Sequence, residues 1–354
     1  MSSSDNDRDR QRVLDAFAKQ IGWCESLGSP FTARLLTILR DDIAADRASA
    51  DLARAWPGDP VAGALALRMA AALHALALAE SAPALVPCYP PRAATIEQLR
   101  PVVLSAVREH QAAIRAFLVS PPQTNEVGRS GVLVGGFLQI AKETGFPLRL
   151  LEIGASAGLN SIWDRYHYRL GAVGWGDPQS PVRIAPSWDG PSPLDAAPIR
   201  VIERLACDIA PVDLEDPAQR LRLRAYVWAD QRERLSRLES AIDLARAYGP
   251  RVERADAADW VRARLREPAA GSATVLYHSI MWQYLSPETQ ASIRASLEDA
   301  GGHATSAAPL AWLRFEPLDS VSRPELRMTL WPGARDVRLA VAHPHGSSVT
   351  WSSF

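Results

Sequence analysis

Gly154-Ala155-Ser156-Ala157-Gly158 fits two chemistries at once. In a hydrolase elbow of the form G-x-S-x-G, Ser156 stands on a tight strand-to-helix turn with its hydroxyl near backbone N–H groups that stabilise an oxyanion. A later histidine and acid would complete the set, and His343 or His345 with Asp319 or Asp336 supplies those types. In a cofactor loop, the same small residues let a ligand approach the backbone where a strand ends and a helix begins. Glu152 then holds a positive amino group or orders water, a role that no hydrolase elbow requires. The G-x-G-x-x-G pattern of a dinucleotide site is not met, because Ser156 takes the middle position and the last glycine falls one residue early.

Position separates the two readings. Up to residue 120 the chain reads helical, with apolar residues every three or four positions: Val13, Phe17, Ile21, Cys24, then Phe31, Leu35, Leu39, Ile43. A capping box at Thr95 and Gln98 opens a helix whose face is Leu99, Val103, Ala106, His110, Ile114 and Phe117. After Leu148 short β-type runs alternate with helical stretches, which predicts a mainly parallel α/β sheet. Strands are expected near Leu148–Ile153, Ile199–Leu205, Arg251–Ala255, Thr274–His278 and Leu310–Glu316. Helices are expected at Gly158–Tyr166, Pro217–Tyr248, Ala257–Leu265 and Pro287–Ala300, the last capped by Ser286 and left at Gly301-Gly302. Leu326–Trp331 and Val337–Ala342 predict an antiparallel hairpin, with a third short strand at Ser347–Trp351. Residues 166–198 read as a hairpin insertion or a flap over the site. The glycine loop thus follows the first strand, whereas a hydrolase elbow follows several.

On these residues the stretch 148–342 resembles class I S-adenosylmethionine-dependent methyltransferases, whose first motif is similar to Glu152-Ile153-Gly154-Ala155-Ser156-Ala157-Gly158. The resemblance implies a Rossmann-like sheet with a C-terminal antiparallel hairpin, S-adenosylmethionine as cofactor, and a small-molecule methyl acceptor. It implies cofactor contacts from Glu152, Gly154, Ala155, Ser156, Gly158 and Asn160, from Asp208 after the second strand, from Asp256 and Ala257 after the third, with Asp259 as an alternative, and from Arg129 on the methionine carboxylate. Asn125 or Glu126 and Trp282 would face the acceptor; His278, at the end of the fourth strand, would be a general base, with Tyr284 beside it. A closer resemblance, carried by Gln123–Ser130, the LLEIGASAGLN stretch and Tyr277–Leu285, is to bacterial domain of unknown function family 2332; it names relatives and no activity.

Composition excludes more than it selects. A net charge of -1 gives no footprint for nucleic acid, and only Lys19 and Lys142 among the basic residues are lysines. Cys24, Cys88 and Cys207 are far apart with no C-x-x-C pair, so neither a disulfide framework nor a zinc site is expected. His343 and His345 lack the acids or cysteines that would complete a metal set. The polar start MSSSDNDRDRQR is no secretory signal, and the apolar run Val61–Ala79 carries Arg68 and His74, so a buried helix is expected and no membrane span. The reading is a cytoplasmic protein with a helical region over 1–120 and a methyltransferase-like α/β domain over 121–354. The alternatives are a serine hydrolase acting through Ser156 and a non-catalytic cofactor-binding or scaffolding protein.

Overall fold

The computed structural model describes residues 3–54, 56–92, 94–193, 199–266, 268–319 and 322–352. Its contacts divide the chain into two units, 1–124 with 216–236 and 125–215 with 237–354. Helices α1 (Ser3–Ser26), α2 (Pro30–Ala44), α3 (Ala48–Arg54), α4 (Leu65–Leu78), α5 (Ile96–Glu109) and α6 (Gln111–Val119) build the first unit. Helix α7 (Ser130–Thr144) belongs to the second unit, α8 (Pro217–Ala225) returns to the first, and the division falls within α9 (Arg232–Tyr248).

The helical unit buries the residues that the 3.6 period selects: Phe17, Cys24, Phe31, Leu35, Leu39 and Ile43 are all within its core. The capping box at Thr95 and Gln98 is present, but the helix it opens breaks at His110, whose φ of -113° and ψ of 23° leave the helical region and separate α5 from α6. The single helix expected over Pro217–Tyr248 is likewise two. The break frees Asp230, whose carboxylate accepts Ser29 Oγ at 2.5 Å and Phe31 N at 2.8 Å, so it caps α2 from far along the chain. Arg68 and His74 of α4 are buried and satisfied: Arg68 donates to Gly63 O at 2.8 Å and Leu118 O at 2.7 Å, and His74 Nδ1 donates to Ala225 O at 3.1 Å. Burial pushes the His74 pKa down to about 4, keeping the ring neutral.

The second unit contains β1 (Leu148–Ile153), β2 (His167–Leu170), β3 (Val173–Gly176), β4 (Arg183–Ile184), β5 (Ser187–Asp189), β6 (Val201–Asp208), β7 (Val252–Arg254), β8 (Ala273–Ser279), β9 (Leu310–Glu316), β10 (Glu325–Trp331), β11 (Arg335–Ala342) and β12 (Ser348–Trp351). Nine of them form one mostly parallel sheet in the order β5-β12-β11-β10-β9-β8-β1-β6-β7. In β1 the side chains of Leu148, Leu150, Leu151 and Ile153 are all fully buried. A strand covered on both faces reads as a near-continuous apolar run, which here is interrupted by Arg149 and Glu152. Helices α10 (Ala257–Arg264) and α11 (Pro287–His303) join Leu151, Ile153, Leu276 and Trp312 in one core. Ser286 caps α11, accepting Thr289 N at 3.2 Å. Gly301 and Gly302, expected at its exit, lie inside it instead. Gly301 is needed for packing, since a Cβ there would sit 2.5 Å from Trp331 Nε1.

Helix α7 packs against β9, β10 and β11. Its Gly135 and Gly136 weaken the helix locally, but a Cβ would come within 2.5 Å of Trp351 and 2.4 Å of Leu313, so contact with the sheet overrides propensity. The insertion is a β2-β3 hairpin with β4 alongside, and β5 adds to the edge of the main sheet beside β12. Fully buried Tyr166 and Tyr168 donate their hydroxyls to Leu159 O at 2.6 Å and Trp163 O at 2.7 Å. Trp163 stacks on Phe137 of α7 at 4.4 Å. Tyr166, Tyr168, Leu170, Val182 and Ile184 thus root the insertion in the core while its tip around β3 is exposed; residues 194–198 lie outside the described residues.

Candidate functional site

Strands β1, β6 and β7 step outward to one side, and β8 then returns to pair on the other side of β1, with β9 beyond it. The order reverses at β1/β8. In open α/β sheets the crevice at the carboxyl ends of strands around such a reversal is where ligands bind. The glycine loop leaves β1 at this point.

The loop is tightly held. Ala155 N donates to Cys207 O at 3.1 Å, Ser156 N to Asp208 Oδ2 at 2.8 Å, and Gly158 N to Ala155 O at 2.8 Å. Beyond it, Leu159–Arg165 is a short 3-10 helix kinked at Ile162, where an α-helix was expected over Gly158–Tyr166. Leu159 N, which would head that helix, donates to Asn125 Oδ1 at 2.9 Å. An anion site on a helix dipole is therefore not what this loop offers, because the element is short and its first donors have partners. Gly154, at φ 66°, leaves room for the Met281 side chain, which a Cβ would meet at 2.8 Å. Ser156 adopts φ 55°, and its Oγ is buried with no hydrogen-bond partner.

Glu152, next to last in β1, lies beneath the loop. Its Oε2 accepts from Ser161 Oγ and from Tyr277 OH, the latter at 3.0 Å, and both partners are neutral. Burial, opposed by those two hydrogen bonds, raises its pKa to about 7. Asp208 ends β6, where a loop acid was expected, and accepts Ser156 N and Ala210 N, each at 2.8 Å. Asp256 caps α10, Oδ1 accepting Ala258 N at 2.9 Å and Asp259 N at 3.2 Å, with Ala257 as the first helical residue. Asp259 pairs with Arg262 on the surface. Acids thus stand at or just beyond the ends of β1, β6 and β7.

The segment 125–130 docks on the loop. Besides Asn125, Glu126 lends its carbonyl to Asn160 Nδ2 at 3.4 Å, and Ser130 Oγ donates to Asn160 Oδ1 at 2.6 Å. The Glu126 carboxylate accepts Gly128 N at 2.9 Å. Arg129 ties the end of β8 to the loop after β11, Nε donating to Pro344 O and an Nη to Ser279 O, both at 3.1 Å. In this structure Asn125, Glu126 and Arg129 shape the site through these bonds.

His278 is buried at the end of β8 with both ring nitrogens engaged: Nδ1 donates to Glu316 Oε1 at 2.7 Å and Nε2 accepts Trp312 Nε1 at 3.1 Å. In this structure the Nε2 lone pair that a general base would use is taken by the Trp312 indole. Trp282 stacks on the His278 ring at 5.0 Å, and Arg294 lies over Trp282 at 5.0 Å. Tyr284 is 77 % exposed. Ile280, between them in sequence, has φ 48°, a left-handed backbone that a β-branched residue seldom adopts. Such outliers persist where the surroundings enforce them and gather at functional sites.

The sequence pattern of a bacterial family described as uncharacterized protein conserved in bacteria matches residues 14–351. The chain belongs to that family, DUF2332. No curated protein matches it, and neither does any solved structure. In this DUF2332 protein Ser156 makes no side-chain hydrogen bond to either histidine of the hydrolase reading. Ser156 Oγ has no partner, His343 Nδ1 accepts His345 N at 3.1 Å, Asp336 binds Arg314 and Arg327, and Asp319 accepts Ser322 N at 2.7 Å. Sequence reasoning missed Ser161, Tyr277, Met281 and Glu316. Glu316 alone carried a readable signal, as the acid closing the strand after the switch point. Among the described residues no group of three His, Cys, Asp or Glu could hold a metal, and no helix is long and apolar enough to cross a membrane.

Proposed function

We propose that the α/β unit of this DUF2332 protein binds S-adenosylmethionine at the carboxyl ends of β1, β6 and β7 and transfers its methyl group to a small-molecule acceptor. The observation that carries the reading is the position of the glycine loop at the β1/β8 reversal with Glu152, Asp208 and Asp256 around it. The residues fit such a ligand. Glu152 is a buried carboxyl whose hydrogen-bond partners are neutral, suited to a ligand ammonium. Asp208 keeps lone pairs for ribose hydroxyls after its two backbone bonds, and Ser156 Oγ is unclaimed. When bound, the cofactor supplies an activated methyl group. The chain's part is to orient the acceptor in line with it and exclude water, and orientation of this kind is worth roughly 7 to 11 kcal/mol.

The test is thermal stabilisation by S-adenosylhomocysteine, a non-transferring product. A raised Tm that disappears in Asp208→Ala supports the reading, and at 100 times Kd a ligand adds about 2.7 kcal/mol. An unchanged Tm at millimolar ligand refutes it.

A further inference from the structure

Glu316 closes β9 beside the switch point, and its carboxylate is divided. Oε1 accepts two donors, His278 Nδ1 at 2.7 Å and Met281 N at 3.1 Å. Oε2 is buried without a partner. The other ring nitrogen of His278, Nε2, accepts the Trp312 N–H. Directly across the antiparallel ladder from Glu316 stands Glu325, a second carboxylate. Glu325 is compensated by Arg327 and Arg338, both at 3.1 Å, whereas among the described ion pairs Glu316 meets the His278 imidazole and no arginine. A carboxylate removed from water with one bare oxygen and a like charge opposite calls for a positive partner.

The surroundings say where that partner would come from. Met281, whose N–H binds Glu316, lays its side chain over Gly154 of the glycine loop, so Glu316 is two contacts from the proposed methyl donor. Tyr284 and Leu318, 77 % and 68 % exposed, put large apolar side chains on the segments that follow β8 and β9. Ile280 holds the first of these segments in its left-handed turn.

We propose that Glu316 Oε2 receives the ammonium or other cationic N–H group of the methyl acceptor, which makes the acceptor an amine with an apolar body rather than a carboxylic acid. The cation site rests on the geometry of Glu316, and its naming as the acceptor site rests on the methyl-transfer reading. Saturation-transfer NMR at neutral pH with benzylammonium, benzyl alcohol and benzoate separates the two. Expected is a signal from benzylammonium at least tenfold above the other two, lost in Glu316→Gln and retained in Glu325→Gln. The Glu316→Gln carbonyl still accepts from His278 and Met281, and a cooperative melt of each variant confirms the fold. Benzoate binding as well as benzylammonium, equal binding of benzylammonium to Glu316→Gln, or no binding of the three probes overturns the proposal. Loss of benzylammonium in Glu316→Gln, in a protein whose Tm does not respond to S-adenosylhomocysteine, upholds the cation site and refutes the cofactor reading alone.

Discussion

Glu152→Gln should remove one pH-dependent contribution to stability. Glu152 is fully buried against Ser161 and Tyr277, and its pKa rises from 4.5 to about 7. The folded chain therefore holds this proton more tightly than the unfolded chain does. Its contribution to stability is complete below pH 4.5 and is lost as pH climbs through 7. At 1.36 kcal/mol per unit the whole effect is roughly 3 kcal/mol, of which about 2.5 falls between pH 5 and 8. Glutamine keeps an oxygen for both hydroxyls and carries no titrating proton. The assay is urea unfolding of both proteins at pH 5, 6, 7 and 8. Wild type minus Glu152→Gln should fall by about 2.5 kcal/mol across that range, other titrating groups cancelling in the difference. A difference that stays constant within about 0.5 kcal/mol refutes the argument that burial governs this carboxyl.

Ser156→Gly relieves a left-handed serine and removes an unpartnered buried hydroxyl, so it should stabilise the α/β unit by about 1–3 kcal/mol in the same urea assay. Gly136→Ala, favourable for an exposed helix, should instead destabilise by about 1–3 kcal/mol, because the new methyl meets Leu313 at 2.4 Å. His74, with its pKa lowered to about 4, has the opposite sign to Glu152: its contribution is present above pH 6.5 and is lost as pH falls towards 4. Acid titration of wild type against His74→Gln, followed by helix circular dichroism, should show that loss in the wild type alone. Asp208→Ala leaves Ser156 N and Ala210 N without their acceptor, and should lower stability by about 1–3 kcal/mol in urea unfolding.

The elements were legible where local chemistry decides them. Leu148–Ile153 and Leu310–Glu316 stand where the sequence placed them, and Ser286 and Thr95 cap the helices they were read to cap. Local pattern misled where distant contacts decide. Gly301 reads as a helix exit until Trp331 is seen against it, and the 226–231 break reads as helix until Asp230 is seen capping α2. At the site, Glu152 and Asp208 were readable because each stands at or just past the end of a strand pattern. The engagement of His278 by Glu316 and Trp312 was not, since it depends on the register of β8 against β9. The short 3-10 helix after the glycine loop was equally hidden, as Asn125, far upstream, takes its first amide.

The return of residues 216–236 to the helical unit sets a timetable for synthesis. Ala225 and Tyr226 complete a cluster with Ala71 and Ala75 of α4, and Ala225 O takes the His74 proton donor. Those partners leave the ribosome roughly a hundred residues after Thr124. At about 5–20 residues per second the nascent helical unit waits on the order of 5 to 20 seconds with one wall missing. Throughout that interval the alanine-rich side of α4 is open, and a chaperone able to shield it would have to let go only once the intervening first strands of the sheet have been made.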